Sequence, residues 1–369
     1  MNRKFLKNVE WRILICCLIL LLIGMVALYS ATQDSGNSEL KRQITWTLVS
    51  IPVMIIVMAI DYNTIAKFSP IFYGIFVIAL IAVLFTKPIN GATSWFKINE
   101  WIAFQPSEFT KVVFVVFLAF IMQKLQNGDK REINKFWKLL MTIIIFSIPA
   151  GLIILQPDYG TLMAFIMAYV FMMYTAGIDK KIILLVLTAI IITVPLAYMY
   201  VLPDHAKSRI DVFLNPELDP RGSGYNIIQS KLAIGSGELL GMGLLKGNQT
   251  QLGYLYPKTT DFIFSVIGEE MGFAIAGLVI ILYVILITRS VYIAKTAKDD
   301  LGSYIAIGIC GIFTFHMLEN IGMTMGLLPI TGVPLPFVSY GGSSLVTNFI
   351  CIGLLLSISG RRQKSIFID

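Results

Sequence analysis

Long apolar runs follow one another along almost the whole chain, and short polar segments separate them. Each run holds about 20 residues, the length at which an α-helix crosses a hydrocarbon core of about 30 Å. Because backbone groups in lipid must be hydrogen-bonded internally, these runs predict helices. The expected fold class is an all-α integral membrane protein. Ten transmembrane helices are predicted, at approximately 11–30, 44–60, 68–86, 107–124, 137–155, 159–177, 182–202, 262–288, 303–325 and 342–359.

The composition agrees with this pattern and leaves no room for a separate soluble domain. Of the 369 residues, 56% are hydrophobic and 14% are charged, whereas soluble domains carry about 25% charged residues. The longest polar segment is too short and too rich in glycine to bury a core of its own. We therefore expect a single membrane domain over residues 1–369. All four cysteines fall inside apolar runs, where they are typical of small packing residues.

The distribution of basic residues predicts the orientation of the bundle. One side of the predicted helices collects 18 Lys and Arg residues, whereas the short segments of the other side hold five. Since the cytoplasmic side carries such an excess, both termini are expected in the cytoplasm. The long loop 203–261, between helices 7 and 8, is then extracellular. The net charge is +7, but the basic residues lie at helix ends and the sequence has no nucleic-acid motif, so no nucleic-acid partner is expected.

The loop 203–261 ends in Asp261, directly before an apolar helix. Asp is a preferred N-cap residue, so a purely structural role for Asp261 is one interpretation. The other is chemical. An acid followed by Phe262, Ile263 and Phe264 is expected to have a raised pKa, because burial disfavours the charged form. A raised pKa suits a general base that works near neutral pH.

Two further acids, Glu269 and Glu270, lie about two turns inside the same predicted span. An ionisable group at that depth costs about 2.5–3.5 kcal/mol on insertion scales, which makes two in a row hard to explain as accidents. Adjacent residues point about 100° apart on a helix, so we expect the two carboxylates not to face one partner. They are either structural acids, hydrogen-bonded within the bundle, or functional ones.

Another group of polar side chains lies around the start of the fourth span. Glu108 and Lys111 are three residues apart on one helix face, where a plain salt bridge and a functional pair are both open interpretations. Trp95 and Trp101 come just before them and are typical of interfacial anchors. Asp158 stands in a tight turn, where it either caps the sixth helix or contributes to a site.

The long loop and the end of the chain add two more features. Between residues 320 and 344 a glycine- and proline-rich, nearly uncharged stretch predicts a re-entrant segment buried in protein. His205 and His316 have no partners at metal-ligand spacing, so a metal hydrolase is not expected.

Arg and Lys in the loop are suited to bind phosphate oxygens of an anionic headgroup. These loop cations are Arg209, Arg221, Lys231, Lys246 and Lys258.

Several longer motifs occur in a fixed order along the chain. They are Gly-Ala-Thr-Ser-Trp-Phe at 91–96, Phe-Gln-Pro-Ser-Glu-Phe-Thr-Lys at 104–111, Gln-Pro-Asp-Tyr-Gly-Thr at 156–161, Asp-Pro-Arg-Gly-Ser-Gly-Tyr at 219–225, Thr-Asp-Phe-Ile-Phe-Ser-Val-Ile-Gly-Glu-Glu at 260–270 and Pro-Leu-Pro-Phe-Val-Ser-Tyr-Gly-Gly-Ser-Ser at 334–344. In this combination the chain strongly resembles the SEDS family (shape, elongation, division and sporulation). Two further runs, Asn-Ile-Ile-Gln-Ser-Lys-Leu-Ala-Ile-Gly-Ser-Gly at 226–237 and Asn-Ile-Gly-Met-Thr-Met-Gly-Leu-Leu-Pro at 320–329, resemble the elongation-type (RodA) members more than the division-type (FtsW) members.

The resemblance implies a peptidoglycan glycosyltransferase that polymerises lipid II outside the bacterial cytoplasmic membrane. It further implies a class B penicillin-binding protein as the transpeptidase partner, within the elongation complex that maintains rod shape. Before the key helix the family often reads Pro-Glu-x-His-Thr-Asp, whereas this chain reads Tyr-Pro-Lys-Thr-Thr-Asp at 256–261, which lacks the Glu and the His and retains the Asp. The family's essential acid falls on Asp261, and its further motif positions fall on Trp95, Glu108, Lys111, Asp158 and Ser343.

The mechanism expected from this resemblance is an inverting glycosyl transfer in which Asp261 takes the proton of the acceptor 4-hydroxyl. Undecaprenyl pyrophosphate leaves, and Lys111, Arg209 or Lys246 neutralises its charge. A divalent cation, Mg²⁺ or Mn²⁺, is an alternative source of positive charge. Other functions stay open: a division or sporulation polymerase of the same family, a flippase for the lipid-linked precursor, or a structural scaffold. A flippase is expected to bind near the membrane midplane, whereas these charges collect at the outer face.

Overall fold

The computed structural model describes residues 3–88, 93–97, 103–185, 188, 198–200, 204–220 and 222–362, and this part is built mainly from α-helices. Short 3₁₀ helices occur at Gln33–Ser35, Lys130–Asn134 and Pro216–Leu218. In chain order the helices are α1 (Arg3–Asn8), α2 (Trp11–Ala31), α3 (Ser38–Ala59), α4 (Tyr62–Val83), α5 (Pro106–Gln126), α6 (Phe136–Leu155), α7 (Tyr159–Thr175), α8 (Asp204–Leu214), α9 (Ser223–Ser236), α10 (Asn248–Gln251), α11 (Ile263–Thr296), α12 (Asp300–Thr324) and α13 (Gly342–Arg361).

Seven of the described helices are long and apolar enough to cross a membrane by length and composition: α2, α3, α4, α6, α11, α12 and α13. The predicted spans at 107–124 and 159–177 coincide with α5 and α7. The predicted span 182–202 lies largely outside the described residues. A mainly helical fold with several membrane-crossing helices is therefore confirmed, while the count of ten spans stays a prediction.

A small β-hairpin departs from the all-α prediction. Strands β1 (Phe96–Lys97) and β2 (Ala103–Phe104) pair in antiparallel fashion, with Phe96 opposite Phe104. The two rings stack with their centroids 6.5 Å apart, and cross-strand aromatic pairs stabilise short hairpins. Because β2 ends two residues before α5, the hairpin adjoins the start of that helix.

Helix α12 is the centre of the bundle, packed against α5, α7, α11 and α13. Two glycines allow the close approach. A Cβ at Gly311 would lie 2.9 Å from the Cα atom of Ala168 on α7, and a Cβ at Gly308 would lie 2.6 Å from Val115 Cγ1 on α5. Most side chains of α12 are buried, so its polar residues must find partners inside the protein.

The two ends of the bundle differ in their charged contacts. At one end, which we call the basic face, the Glu10 carboxylate lies 4.0 Å from Arg289 Nη1 and 3.7 Å from Arg362 Nη1. Arg361 Nε pairs with Asp61 Oδ2 at 3.6 Å in the same region. The opposite end, which we call the loop face, holds the segment between α8 and α11 and the candidate site.

Helix α11 is interrupted at Gly272, whose φ of 74° is not helical. The loop segment 238–243 fills the break, where Met242 N–H donates to the Glu269 carbonyl at 2.9 Å. A Cβ at Gly272 would lie 2.2 Å from Gly241 N, so a larger residue does not fit. The single helix predicted here is therefore two helical pieces with the loop docked between them.

Candidate active site

Asp261 is half-buried and comes two residues before the start of α11. The N-cap position of this helix is Phe262, and no side chain caps it, so the N-cap interpretation of Asp261 is wrong. Burial raises the pKa of the Asp261 carboxyl, as predicted. A hydrogen bond with Thr260 and the positive charge of Arg209 lower it in part.

The irregular segment 325–341 packs against Asp261. A Cβ at Gly332 would lie 3.3 Å from Asp261 Oδ2, so this turn of the segment closes on the carboxylate. Ser339 Oγ donates to the Thr260 carbonyl at 2.6 Å, and the Tyr340 N–H donates to the Thr259 carbonyl at 2.9 Å. The segment thus fixes the backbone on the N-terminal side of Asp261.

Helix α12 holds the same segment from its other side. Asn320 Nδ2 donates to the Val333 carbonyl at 2.9 Å and to the Asp261 carbonyl at 3.0 Å. His316, one turn earlier, lies with Nδ1 2.9 Å from the Pro334 carbonyl. Buried carbonyls outside regular secondary structure need such partners, which explains how this proline-rich stretch is accommodated inside the protein.

Glu108 and Lys111 form a buried ion pair on α5, with Nζ 2.8 Å from Oε1 and both residues 3% exposed. Lys111 Nζ also lies 2.9 Å from His316 Nε2. Ser344, on α13, hydrogen-bonds with Glu108. The pair therefore belongs to a cluster that joins α5, α12 and α13. Sequence reasoning left His316 without a partner, and 205 residues separate it from Lys111.

Asp158 and Ser343 meet at Gln105, the residue before α5. Gln105 Nε2 donates to Asp158 Oδ2 at 2.9 Å, and Gln105 N–H donates to Ser343 Oγ at 3.3 Å. Asp158 also caps α7, because it accepts from Thr161 N–H at 3.2 Å and from Thr161 Oγ1 at 2.9 Å. Burial raises the pKa of the Asp158 carboxyl. The hydrogen bonds from Thr161 lower this pKa, the charge of Glu108 raises it and the charge of Lys111 lowers it. These predicted residues therefore lie together.

The start of α7 also reaches the turn beside Asp261. A Cβ at Gly160 would lie 2.3 Å from Val333 Cγ2 and 3.2 Å from the Thr331 carbonyl. Thr331 Oγ1 donates to Glu319, a buried acid of α12, at 2.6 Å. Sequence reasoning did not identify Glu319. The signal was the i, i+3, i+4 spacing of three polar residues, 316, 319 and 320, on one helix face.

The remaining predicted site residues are less closely joined. Arg209 lies on α8, and its positive charge lowers the pKa of Asp261. Trp95 is half-buried directly before β1, and Lys246 is exposed in a turn in which its N–H donates to the Gly243 carbonyl. Within the described part of the chain, no hydrogen bond or ion pair joins Trp95 or Lys246 to Asp261.

The other loop cations have separate surroundings. Lys258 Nζ lies 3.1 Å from Asp34 Oδ2, and the Lys231 side chain lies against Gly326. Trp101 and Arg221 are outside the described residues. The prediction that the loop cations bind an anionic headgroup stays a prediction for these two lysines.

Glu269 and Glu270 converge on one partner, helix α10. Glu269 accepts from Gln249 N–H at 2.7 Å, from Thr250 N–H at 3.0 Å and from Thr250 Oγ1 at 2.7 Å. Glu270 accepts from Gln251 Nε2 at 2.8 Å. The expectation that adjacent acids face different partners is wrong here, because the four-residue helix spans the angle between them. Their geometry favours the structural interpretation, in which they fasten the loop to α11.

A metal site was an alternative source of positive charge. Among the residues that the structure describes, no group of three or more His, Cys, Asp or Glu side chains is arranged to hold a metal ion. Mg²⁺ is commonly bound by one or two carboxylates together with substrate phosphates, so this finding leaves the divalent cation as an alternative source of positive charge. The cations associated with the candidate site are Arg209, whose charge acts on Asp261, and Lys111, which contacts His316.

Known proteins are similar to this chain over nearly its whole length. The model of the FtsW, RodA and SpoVE family, described as cell cycle protein, matches residues 10–364. The peptidoglycan glycosyltransferase RodA of Treponema pallidum is 31% identical over 438 residues, which cover 98% of this chain and 100% of that protein. A probable peptidoglycan glycosyltransferase FtsW of Trichlorobacter lovleyi is 34% identical over 369 residues, which cover 97% and 95%.

A solved structure shares the fold. It belongs to work on the structural coordination of polymerization and crosslinking by a peptidoglycan synthase complex. The similar chain has a TM-score of 0.83 and 25% sequence identity, and the match covers 97% of this chain and 99% of that one. The resemblance that the motifs indicated is thereby confirmed, and this chain belongs to the FtsW, RodA and SpoVE family.

Proposed function

We propose that this multi-pass bacterial membrane protein, a peptidoglycan glycosyltransferase, polymerises lipid II into glycan strands for cell elongation. The observation that carries the proposal is that α12 holds both a half-buried acid, through the Asp261 carbonyl, and a buried cation, Lys111. An acid and a cation on one rigid helix suit a reaction that removes a proton and releases a pyrophosphate. The names of the relatives support the enzyme class.

The proposal includes an orientation in the membrane. Residues 1–369 would form a single domain with both termini in the cytoplasm and the loop 203–261 outside. The basic face, with Arg289, Arg361 and Arg362, suits the cytoplasmic side because of its excess positive charge. Asp261, on the loop face, would then meet substrate at the outer surface of the cytoplasmic membrane.

In the proposed reaction, the Asp261 carboxylate accepts the proton of the acceptor 4-hydroxyl as that oxygen bonds to the anomeric carbon of the donor. The bond from this carbon to the pyrophosphate oxygen breaks, and its electron pair leaves with undecaprenyl pyrophosphate. Attack opposite the leaving group inverts the configuration. One base suffices, because the departing pyrophosphate needs positive charge rather than a proton.

Lys111 is the first proposed source of that positive charge, followed by Arg209 and then Lys246. A cation in a buried site stabilises developing negative charge more strongly than one in water, and Lys111 is buried whereas Lys246 is exposed. The other residues proposed to contact substrate are Trp95, Glu108, Asp158 and Ser343.

An apolar groove supports a substrate with a lipid tail. The groove has a volume of about 210 Å³ and is lined by residues of α3, α4, α5 and α13, among them Phe109 and Thr347. Phe109 follows Glu108 directly, and Thr347 Oγ1 donates to the Ser343 carbonyl at 2.5 Å. An isoprenoid chain in this groove would therefore bring its pyrophosphate toward the buried ion pair.

A class B penicillin-binding protein is the proposed partner, since it would crosslink the strands that this chain polymerises. The similar chain in a synthase complex that coordinates polymerization and crosslinking supports this assignment. We also propose that both proteins act in the elongation complex.

The experiment that tests the proposed function uses the purified protein in detergent with labelled lipid II, with and without a class B penicillin-binding protein. We expect long glycan chains, and loss of rod shape when cells are depleted of the protein. Movement of lipid II across vesicle membranes without glycan products would instead identify a flippase. A block in septation with rod shape preserved would assign the protein to division.

Replacing Arg209 with Gln is expected to shift the acid limb of the rate–pH profile to higher pH. The positive charge of Arg209 lowers the pKa of Asp261, so its removal raises that pKa further above the ordinary value. Only the ionised carboxylate accepts a proton, so the rate begins to fall at a higher pH. The measurement is the glycan synthesis rate across the acid range. Lys207→Gln, two residues away on α8, is the matched control, and an unmoved limb in Arg209→Gln would contradict the assignment.

A further inference from the structure

His316 has two polar contacts, one at each ring nitrogen, and it is 2% exposed. Nδ1 lies 2.9 Å from the Pro334 carbonyl, and Nε2 lies 2.9 Å from Lys111 Nζ. A carbonyl can only accept a hydrogen bond and an ammonium can only donate one. The neutral ring with its proton on Nδ1 satisfies both contacts, so His316 donates to Pro334 and accepts from Lys111.

This arrangement defines the state of the Lys111 ammonium. The group has three N–H donors. Among the described contacts, one reaches Glu108 Oε1 at 2.8 Å and one reaches His316 Nε2 at 2.9 Å. The third N–H is left for an anionic ligand. Two fixed partners remove the rotational freedom that a lysine side chain ordinarily keeps, and they set the direction of that third donor.

The position of Lys111 is also tied to that of Asp261. His316 and Asn320 are one turn apart on α12 and bind adjacent carbonyls, those of Pro334 and Val333. Asn320 also donates to the Asp261 carbonyl at 3.0 Å. One face of α12 therefore holds both groups: His316 contacts the Lys111 ammonium, and Asn320 binds the Asp261 carbonyl. A displacement of either side chain would change the separation between Lys111 and Asp261.

We propose that His316 is a positioning residue of the glycosyl transfer, which orients the Lys111 ammonium through its Nε2 atom. This inference rests on the proposed function, in which Lys111 neutralises the leaving pyrophosphate. His316 does not touch the substrate and carries no proton in the reaction. Its effect is on the transition state, because a misplaced ammonium still attracts substrate but no longer meets the charge as it develops.

Two substitutions separate the contacts of His316. His316→Asn places an amide N–H near the Nδ1 position, so it keeps the bond to Pro334 and loses the acceptor for Lys111. His316→Gln places its amide near the Nε2 position, so it keeps an acceptor for Lys111 and loses the bond to Pro334. We expect His316→Asn to lower kcat by about 10²-fold with KM for lipid II within about twofold. We expect His316→Gln to keep kcat within about threefold of the original protein.

Tyr304→Phe is the matched structural control. Tyr304 is a buried residue of the same helix whose hydroxyl donates to Gln126 Oε1 at 2.5 Å, far along α12 from the site. The substitution removes one buried hydrogen bond, so it is expected to lower the thermal unfolding midpoint while leaving kcat unchanged. If His316→Asn does not yield a folded protein, the kcat of His316→Gln decides: a loss of about 10²-fold overturns the proposal.

The outcomes are distinct. A low kcat in His316→Gln with a normal kcat in His316→Asn would show that the Pro334 bond matters and would overturn the proposal. In a Lys111→Met background, His316→Asn should add no further loss, because both changes remove one interaction. Losses that multiply would mean that His316 acts independently of Lys111. A fully active Lys111→Met protein would overturn the role of Lys111 and the proposal with it, whereas an original protein that makes no glycan would refute the proposed function.

Discussion

Asp261→Asn is expected to give a folded, membrane-inserted protein whose rate of glycan synthesis is lower by about 10²–10⁴-fold, the usual contribution of a general base. Asn has nearly the volume of Asp but cannot take a proton. The side chain does not cap α11, and the bond from Asn320 goes to the Asp261 backbone, which the substitution leaves in place. Stability should therefore change little while the chemical step is lost.

The measurement is the initial rate of polymerisation from labelled lipid II, with the thermal unfolding midpoint as a check on folding. Asp34→Asn is the matched control, because Asp34 is an exposed acid of the loop face that pairs with Lys258. It should keep the original rate. An Asp261→Asn protein that still makes long glycan chains would show that another group takes the proton.

The neighbouring acids are less suited to that role because their oxygens are already engaged. Asp158 accepts from Thr161 and Gln105, and Glu319 accepts from Thr331. Glu108 is paired with Lys111. The Asp261 carboxyl is subject to a hydrogen bond with Thr260 and to the charge of Arg209, and burial nevertheless raises its pKa. A carboxylate with little competition for its lone pairs is the better proton acceptor.

The helices were predictable from the sequence because each apolar run determines its own helix. The predicted spans from 11–30 to 159–177 and from 262–288 to 342–359 fall on helices of the structure. The break at Gly272 was not predictable in this way, since its φ of 74° depends on the docking of a segment some 30 residues earlier in the chain. A later part of the same loop, helix α10, is the shared partner of Glu269 and Glu270.

The site was predictable residue by residue but not as an arrangement. An acid at a helix start and an i,i+3 pair of opposite charges are visible in the sequence, so Asp261, Glu108 and Lys111 were identified. Whether Glu108–Lys111 was an exposed bridge or a buried one depended on the helices that pack over it. His316 escaped identification for that reason, because its partner lies on another helix and no local spacing marks the contact.

Breaking the buried pair should separate stability from activity. Lys111→Met leaves the Glu108 carboxylate buried without its cation, and removal of one partner of a buried pair costs about 3–5 kcal/mol of stability. Adding Glu108→Gln removes the stranded charge. Replacing both members by neutral groups is often nearly neutral, so the double variant should recover most of the unfolding midpoint. Its kcat should stay lower by about 10²–10³-fold, because the cation is still missing.

We would measure two quantities for the two single variants and the double variant: the thermal unfolding midpoint and the rate of polymerisation. Lys135→Met is the control, since Lys135 and Glu132 form the same i,i+3 arrangement at 2.7 Å with Lys135 65% exposed. Water and salt screen that pair, so its loss should leave both quantities unchanged. Recovery of activity together with stability would mean that Lys111 only balances Glu108. Stability without activity in the double variant is the result that requires a cation in the reaction itself.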